Sequence, residues 1–298
     1  MNVGIIGVGL MGHGIARNVL KRGGFKLWFL EHPGNQPTDE LLELGATPCS
    51  TTAAVAAATD LMILCVTGSP QVEAVLTEPD GVLSAMRAGT VVVDCSTSLP
   101  GSTERMAALV AEAGGFFLDA PMTRTAQHAH EGTLNLLVGG TAEALLKAQP
   151  VLDSFTADVR HVGGTGTGHR LKLLHNYVSI GFISLLAEAA AEAENGGVDP
   201  KIFVDVLASG GGGGVALDRM APFLTEQDRN SLPFALSNAQ KDIDYYRAMA
   251  SEAGSGCRIA DGVSDAISHG LSVAEQAGEA ETILPELARL LRRNDNSR

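Results

Sequence analysis

The stretch MNVGIIGVGLMGHGIARNVLKRGGFKLWFLE, residues 1–31, decides how the rest of the chain is read. Residues 3–6 and 27–30 are apolar, strand-forming runs, and residues 10–21 between them carry a helical period. Glycines stand at 7, 9 and 12, directly after the first strand and at the mouth of the helix. In that setting Gly7 permits a tight turn, Gly9 lets a pyrophosphate approach the backbone, and Gly12 lets helix and strand pack closely. The helix N-terminus adds unpaired N–H groups and a partial positive charge for the phosphates. Glu31 closes the second strand, where a carboxylate accepts hydrogen bonds from ribose hydroxyls and repels a 2′-phosphate. His32 and Pro33 follow with no arginine to offset that repulsion, so NAD is expected in preference to NADP.

Outward from this unit the pattern repeats. Residues 61–66, 90–94, 116–118, 134–138 and 159–162 read as further strands, most of them continuously apolar, as strands buried on both faces are. Helical segments at 70–76 and 101–113 lie between some of them. The alternation predicts α/β architecture, a doubly wound, mostly parallel sheet over residues 1–162. A glycine-rich connector, GGTGTG, opens residues 163–298, an expected all-α domain. Its first helix is expected over 169–195, about 40 Å long. The middle of that helix, YVSIGFISLLAEAAAEA, is apolar all round, so it should be buried in a bundle or against a second subunit. Later helices are expected at 201–208, 215–224, 234–252, 261–276 and 281–293. The pentaglycine 210–214 reads equally as a mobile loop or a tightly packed one.

Composition narrows the function. The 298 residues carry 21 Lys and Arg against 34 Asp and Glu, a formal net charge of −13, which disfavours nucleic acid and anionic membranes. Any anion must be held by local geometry. Cys49, Cys65, Cys95 and Cys257 are scattered, with no CxxC pair, which is cytosolic usage. The N-terminus enters a strand with no basic leader or cleavage site, and no uninterrupted apolar run reaches about 18 residues, so a soluble cytoplasmic protein is expected. His13, His128, His130 and His169 show no spacing with carboxylates that would suggest a metal site, and none is expected.

Six motifs then fall in order: GVGLMG at 7–12, DCST at 94–97, DAPMTRT at 119–125, GTLNLLVGG at 132–140, GTGTGHRLKLLHN at 164–176 and QKD at 240–242. Together, over essentially the whole chain, they resemble the β-hydroxyacid dehydrogenases, the 3-hydroxyisobutyrate dehydrogenase and tartronate semialdehyde reductase group. The resemblance implies an N-terminal Rossmann domain, an all-helical C-terminal domain, an active site in a cleft between them, and a homodimer or homotetramer built on the long helix. It places the catalytic lysine on Lys172 and its partner on Asn176. Hydride transfer at carbon requires proton transfer at the adjoining oxygen, so an acid/base must reach that oxygen. Residues four apart share a helix face, which lets Asn176 orient the ammonium or bind the same oxygen. Leu171, Leu173 and Leu174 give Lys172 apolar neighbours.

The resemblance also assigns Leu10, Met11, Val66, Thr97 and Lys241 to the cofactor, and Ser96 to the substrate. Asp119 reads as a turn residue. Most members of the family carry Ser-Gly-Gly after the Asp-Ala-Pro, where Thr123-Arg124-Thr125 stand here. An arginine offers a planar, permanently charged fork for two oxygens of an anion. The Arg-Thr variant, with GGTAE at 139–143, resembles the sulfolactaldehyde reductase branch, which implies that Arg124 grips a sulfonate with help from His175 and Ser179. The expected activity is NADH-linked reduction of a short anionic aldehyde, with 3-hydroxyisobutyrate or tartronate semialdehyde as alternatives. Imine reductases usually lack the lysine. A non-catalytic dinucleotide-binding module is the alternative from another class, and it would have no use for Lys172.

Overall fold

A computed structural model describes residues 1–292. Contacts divide the chain into two compact units, Met1–Lys172 and a second from Leu173 onward. The first holds nine strands: β1 (Asn2–Ile6), β2 (Lys26–Leu30), β3 (Thr47–Cys49), β4 (Leu61–Leu64), β5 (Val91–Asp94), β6 (Phe116–Asp119), β7 (Met122–Thr123), β8 (Leu134–Gly139) and β9 (Thr156–Gly163). Their order is β3-β2-β1-β4-β5-β6-β8-β7, with β9 also paired to β8. Strands β1 to β6 run parallel, and β8 turns antiparallel to β6 and β7. Strand order reverses between β1 and β4, the switch point at which open α/β sheets bind ligands.

Both faces of the sheet are covered, and the alternation of side chains sorts the apolar runs between them. Val3, Ile5, Leu61 and Ile63 enter one core cluster, while Ile6, Met62 and Leu64 enter the other. That is why these strands read as unbroken apolar runs. The helices of this unit are α1 (Leu10–Lys21), α2 (Asp39–Glu43), α3 (Thr52–Ala58), α4 (Ser69–Thr77), α5 (Pro100–Glu112), α6 (Ala126–Glu131) and α7 (Ala142–Leu152). Strands β3 and β7 and helices α2, α3 and α7 had no counterpart in the sequence reading. The strands are two or three residues long and the helices are alanine-rich or short, so neither period has room to show.

Helix α8 (Thr167–Asn195) runs from the first unit into the second, followed by α9 (Pro200–Ala208), α10 (Val215–Glu226), α11 (Leu236–Glu252), α12 (Arg258–Gln276) and α13 (Leu287–Leu290). Ile180, Ile183 and Ala187 of α8 join Leu217, Met220, Phe223, Leu236, Ile243 and Ile267 in the core of the second unit. Of the two settings expected for α8, the bundle of its own chain covers only part of the helix. Val178, Phe182 and Leu185 are 54%, 53% and 67% exposed, forming a second apolar stripe that the unit leaves bare. By length and composition α8 would also pass as a membrane span, with a mean hydropathy of 1.3 over 18 residues, although Ser179, Ser184 and Glu188 interrupt its apolar run. Scattered polar residues interrupt a run without much lowering its mean.

The helix expected at 281–293 is shorter than its apolar period suggested. Ile283 is extended and bridges Ala235, and only at Leu284–Glu286 does a 3-10 turn begin, continuing into α13. Pro285 belongs in such a first turn because its missing N–H is not needed there. Arg293 lies outside the described residues. The pentaglycine forms a mostly exposed turn after α9, with only Gly212 and Gly213 packed closely, against Leu207 and the Ala208 carbonyl.

Candidate active site

Strand β1 ends at Ile6, and Gly7 turns the chain with φ +95°. A Cβ on Gly7 would stand 2.2 Å from the Cys65 carbonyl oxygen, and one on Gly12 would stand 1.9 Å from the Gly7 carbonyl oxygen. Both glycines are therefore demanded by close approach of backbone to backbone. Gly9 precedes α1 without a side-chain cap, so the first N–H groups of the helix stay available to an anion. Leu10 is exposed and Met11 half-buried beside them. Asn35 clasps the loop: its Oδ1 accepts from the Val8 N–H at 3.3 Å and its Nδ2 donates to the Leu30 carbonyl at 2.9 Å. Glu31 stands exposed at the end of β2, its N–H donating to the Cys49 carbonyl at 2.8 Å. A glycine cradle, an uncapped helix and a carboxylate at the next strand end together fit a dinucleotide.

Farther along the same edge, Val66 follows β4, and Ser96 and Thr97 follow β5. The Val66 N–H donates to Ser96 Oγ at 3.0 Å, which joins two of the expected site residues directly. Burial, aided by the Asp94 carboxylate, pushes the Cys65 thiol up to about 12, so it stays protonated.

Thr123 pairs with Asn135 across β7 and β8, and Thr125 precedes α6 with its Oγ1 2.8 Å from His128 Nδ1. Between them Arg124 has φ +80°. Its side chain is exposed, and Nη1 donates to the Thr133 carbonyl at 2.8 Å. That bond is to a neutral backbone oxygen, and among the described residues no carboxylate pairs with the guanidinium. Helix α6 is tied to α1 by Asn18, whose Nδ2 reaches the Gly14, Ala129 and His130 carbonyls at 2.9, 2.9 and 3.0 Å. The arginine turn and the glycine loop are thus braced by one shared pair of helices.

Lys172 is half-buried in the second turn of α8, and Asn176 is buried one turn on. Asn176 Nδ2 donates to Asp242 Oδ2 at 2.6 Å, and its Oδ1 lies 3.1 Å from His175 Nδ1. The other oxygen of Asp242 is 3.0 Å from Lys241 Nζ, which also lies 5.2 Å from the Tyr245 ring centre. Ser179 is half-buried one turn beyond His175. Within the second unit the structure brings Asn176 and Lys241 onto Asp242, with His175 against Asn176, and Asp242 is the member that the sequence did not single out. The signal was present in the QKD motif, but nothing in it said which of the two charged residues is buried. Asp94 at the end of β5 and His169 on α8 also come together, Nε2 to Oδ2 at 3.8 Å, an approach that no spacing in the sequence announces.

Two family descriptions match the chain: the NAD binding domain of 6-phosphogluconate dehydrogenase over residues 2–163, and the NAD-binding domain of NADP-dependent 3-hydroxyisobutyrate dehydrogenase over residues 166–285. The 2-(hydroxymethyl)glutarate dehydrogenase of Eubacterium barkeri is 34% identical over 255 residues, 85% of this chain and 82% of its own. The 3-sulfolactaldehyde reductase of Escherichia coli is 34% identical over 192 residues, 64% of each chain. A crystal structure of 3-hydroxyisobutyrate dehydrogenase from Salmonella typhimurium superposes with a TM-score of 0.83 at 25% identity, covering 97% of this chain and 99% of that one. The Rossmann sheet, the glycine cradle and these likenesses agree: the chain belongs to the β-hydroxyacid dehydrogenase family, oxidoreductases that act on small hydroxyacids with a nicotinamide dinucleotide.

Proposed function

We propose that this chain is an NAD(H)-linked reductase of a short anionic aldehyde, working reversibly on the 3-hydroxyacid level, with sulfolactaldehyde and dihydroxypropanesulfonate as the favoured pair. The observation that carries the reading is Arg124 at φ +80°. A left-handed backbone costs a non-glycine residue about 1–2 kcal/mol. A position that accepts this strain to display an exposed guanidinium is more readily explained by anion recognition than by packing. The name of the Escherichia coli relative, 3-sulfolactaldehyde reductase, supports the sulfonate.

In this reading Gly7, Gly9, Leu10, Met11 and Gly12 hold the pyrophosphate, Glu31 takes the ribose hydroxyls and selects NAD, and Val66, Thr97 and Lys241 line the rest of the dinucleotide. The bound dinucleotide supplies the hydride. Lys172 donates a proton to the carbonyl oxygen in reduction and withdraws it in oxidation, and Asn176, held by Asp242, orients that oxygen. Arg124, flanked by Thr123 and Thr125, takes the distal anion with Ser96, His175 and Ser179. The bare stripe of Leu174, Val178, Phe182 and Leu185 suits a second copy of the same helix, consistent with a homodimer or homotetramer in the cytoplasm.

The test is a steady-state comparison of three-carbon aldehydes ending in sulfonate, carboxylate or phosphate, each with NADH and NADPH. The sulfonate with NADH should give the highest kcat/KM. A carboxylate preference returns the reading to 3-hydroxyisobutyrate or tartronate semialdehyde, and no turnover with any of them leaves a binding module.

A further inference from the structure

The first turn of α8, which leads into Lys172, is held by a buried polar cluster with no part in the chemistry above. Asp94 ends β5 and Asp119 ends β6; both are fully buried, and so is His169. Asp119 Oδ1 accepts from the Gly166 N–H at 2.8 Å and Oδ2 accepts from the His169 N–H at 2.9 Å. A carboxylate from the sheet thus takes the N–H groups that open the helix, the favourable sign for that end of its dipole. Burial raises the Asp119 carboxyl above its ordinary value, against the opposing pull of its N–H bonds from Gly166 and His169.

The imidazole of His169 is held at both nitrogens. Nδ1 lies 2.7 Å from Thr103 Oγ1 on α5, and Nε2 lies 3.2 Å from the Ser96 carbonyl and 3.8 Å from Asp94 Oδ2. Asp94 in turn accepts from the Ser96 N–H at 2.9 Å. Thr103 Oγ1 also lies 3.1 Å from the Leu99 carbonyl, so the hydroxyl sits between the ring and the backbone of its own helix. Two carboxyls and an imidazole in a dry interior are poor value for stability, because their desolvation consumes most of what their pairing returns. Their geometric effect is plain: one ring spans the loop after β5, the helix α5 and the start of α8.

We propose that His169 is the positioning residue of the acid/base, locking the rotation of the first turn of α8 so that Lys172 is presented in fixed register with Ser96. Lys172 stands three residues on, the neighbouring place on the same helix face. Ser96 is held from three directions: its N–H by Asp94, its carbonyl by His169 and its hydroxyl by the Val66 N–H. The inference rests on the proposed role of Lys172 as proton donor. Asp119 fixes where the helix starts, and His169 fixes how it is turned.

The test uses the full chain with His169→Phe, which keeps a ring without its hydrogen bonds, and His169→Asn, which restores part of the polar contact. Thr103→Val, with nearly the same shape, removes the Nδ1 partner and, with it, the hydroxyl's bond to the Leu99 carbonyl, and leaves the imidazole itself in place. His169→Phe should lower kcat about 10- to 100-fold, the scale of a misplacement near 1 Å. KM for the aldehyde and Kd for NADH should change less than about threefold, and His169→Asn should recover part of the loss. Lys172→Ala is measured alone and combined with His169→Phe. If the histidine acts through the lysine, the double variant is no slower than Lys172→Ala. Full additivity, or a folded His169→Phe enzyme with unchanged kcat, overturns the positioning role. Unchanged turnover in Lys172→Ala overturns it by a separate route, since the lysine reading itself then fails. If His169→Phe does not fold, Thr103→Val decides, with an expected loss in kcat of about 3- to 10-fold against none.

Discussion

Gly7 and Arg124 both turn the chain through the left-handed region, at φ +95° and φ +80°, in the same unit of the molecule. At Gly7 the Cys65 carbonyl would meet any Cβ at 2.2 Å, so the glycine answers a steric demand as well as a conformational one. At Arg124 the side chain leaves the turn toward solvent and touches the Thr133 carbonyl, so only the conformational demand is left. A glycine forced by contact cannot be exchanged. A glycine favoured only by φ can be, at modest cost, and a family can use such a position to change what it recognises. Under the proposed function, Thr123-Arg124-Thr125 in place of the Ser-Gly-Gly that the resemblance implies is an exchange of this kind.

The largest effect that sharpens this contrast is expected of Gly7→Ala. The nearest atoms are backbone and cannot swing aside, so the variant should lose about 3–5 kcal/mol of stability, the range reserved for overpacking and strain together. Urea denaturation gives the number directly, and a loss near 1 kcal/mol would erase the distinction. Next comes Arg124→Gly, measured on the enzyme's reaction. Removing the guanidinium should cost about 2–5 kcal/mol in kcat/KM for the anionic substrate, since the charge of that anion loses its partner. An unchanged specificity constant would make the strained arginine an ornament of the fold and remove the chief support for the sulfonate.

The same contrast explains how much could be read without coordinates. The glycine loop, the buried strands and the parallel order were legible because each leaves a local trace: a spacing, an apolar run, an alternation. Positive φ at Arg124 leaves none, because arginine carries no mark of the backbone it occupies. The Asp94–His169 approach and the Asn176–Asp242 bond join residues far apart in the chain, so spacing rules pass over them. For α8 the apolar period was evident, but period alone does not say that one stripe stays bare. Asp119 was read as a turn residue; burial and its two bonds to the start of α8 make it a cap supplied from the sheet.

The smallest effects isolate the conformational share. Gly45 follows α2 with φ +91°, and a Cβ there would meet nothing within 4 Å. Its N–H and that of Ala46 close the helix on the Leu42 and Leu41 carbonyls, both at 2.9 Å, bonds that an alanine can keep. Gly45→Ala should therefore lose only about 1–2 kcal/mol, the conformational penalty without the clash, and leave turnover unchanged. Arg124→Gly should then gain stability, because it removes the same penalty. The gain is smaller than the Gly45→Ala loss, about 0.5–1 kcal/mol, because glycine also frees the unfolded chain. Thermal melts of the two variants should move in opposite directions. If Arg124→Gly instead melts lower than the parent, the bond to the Thr133 carbonyl outweighs the strain, and the arginine is held there for the fold as well as for the anion.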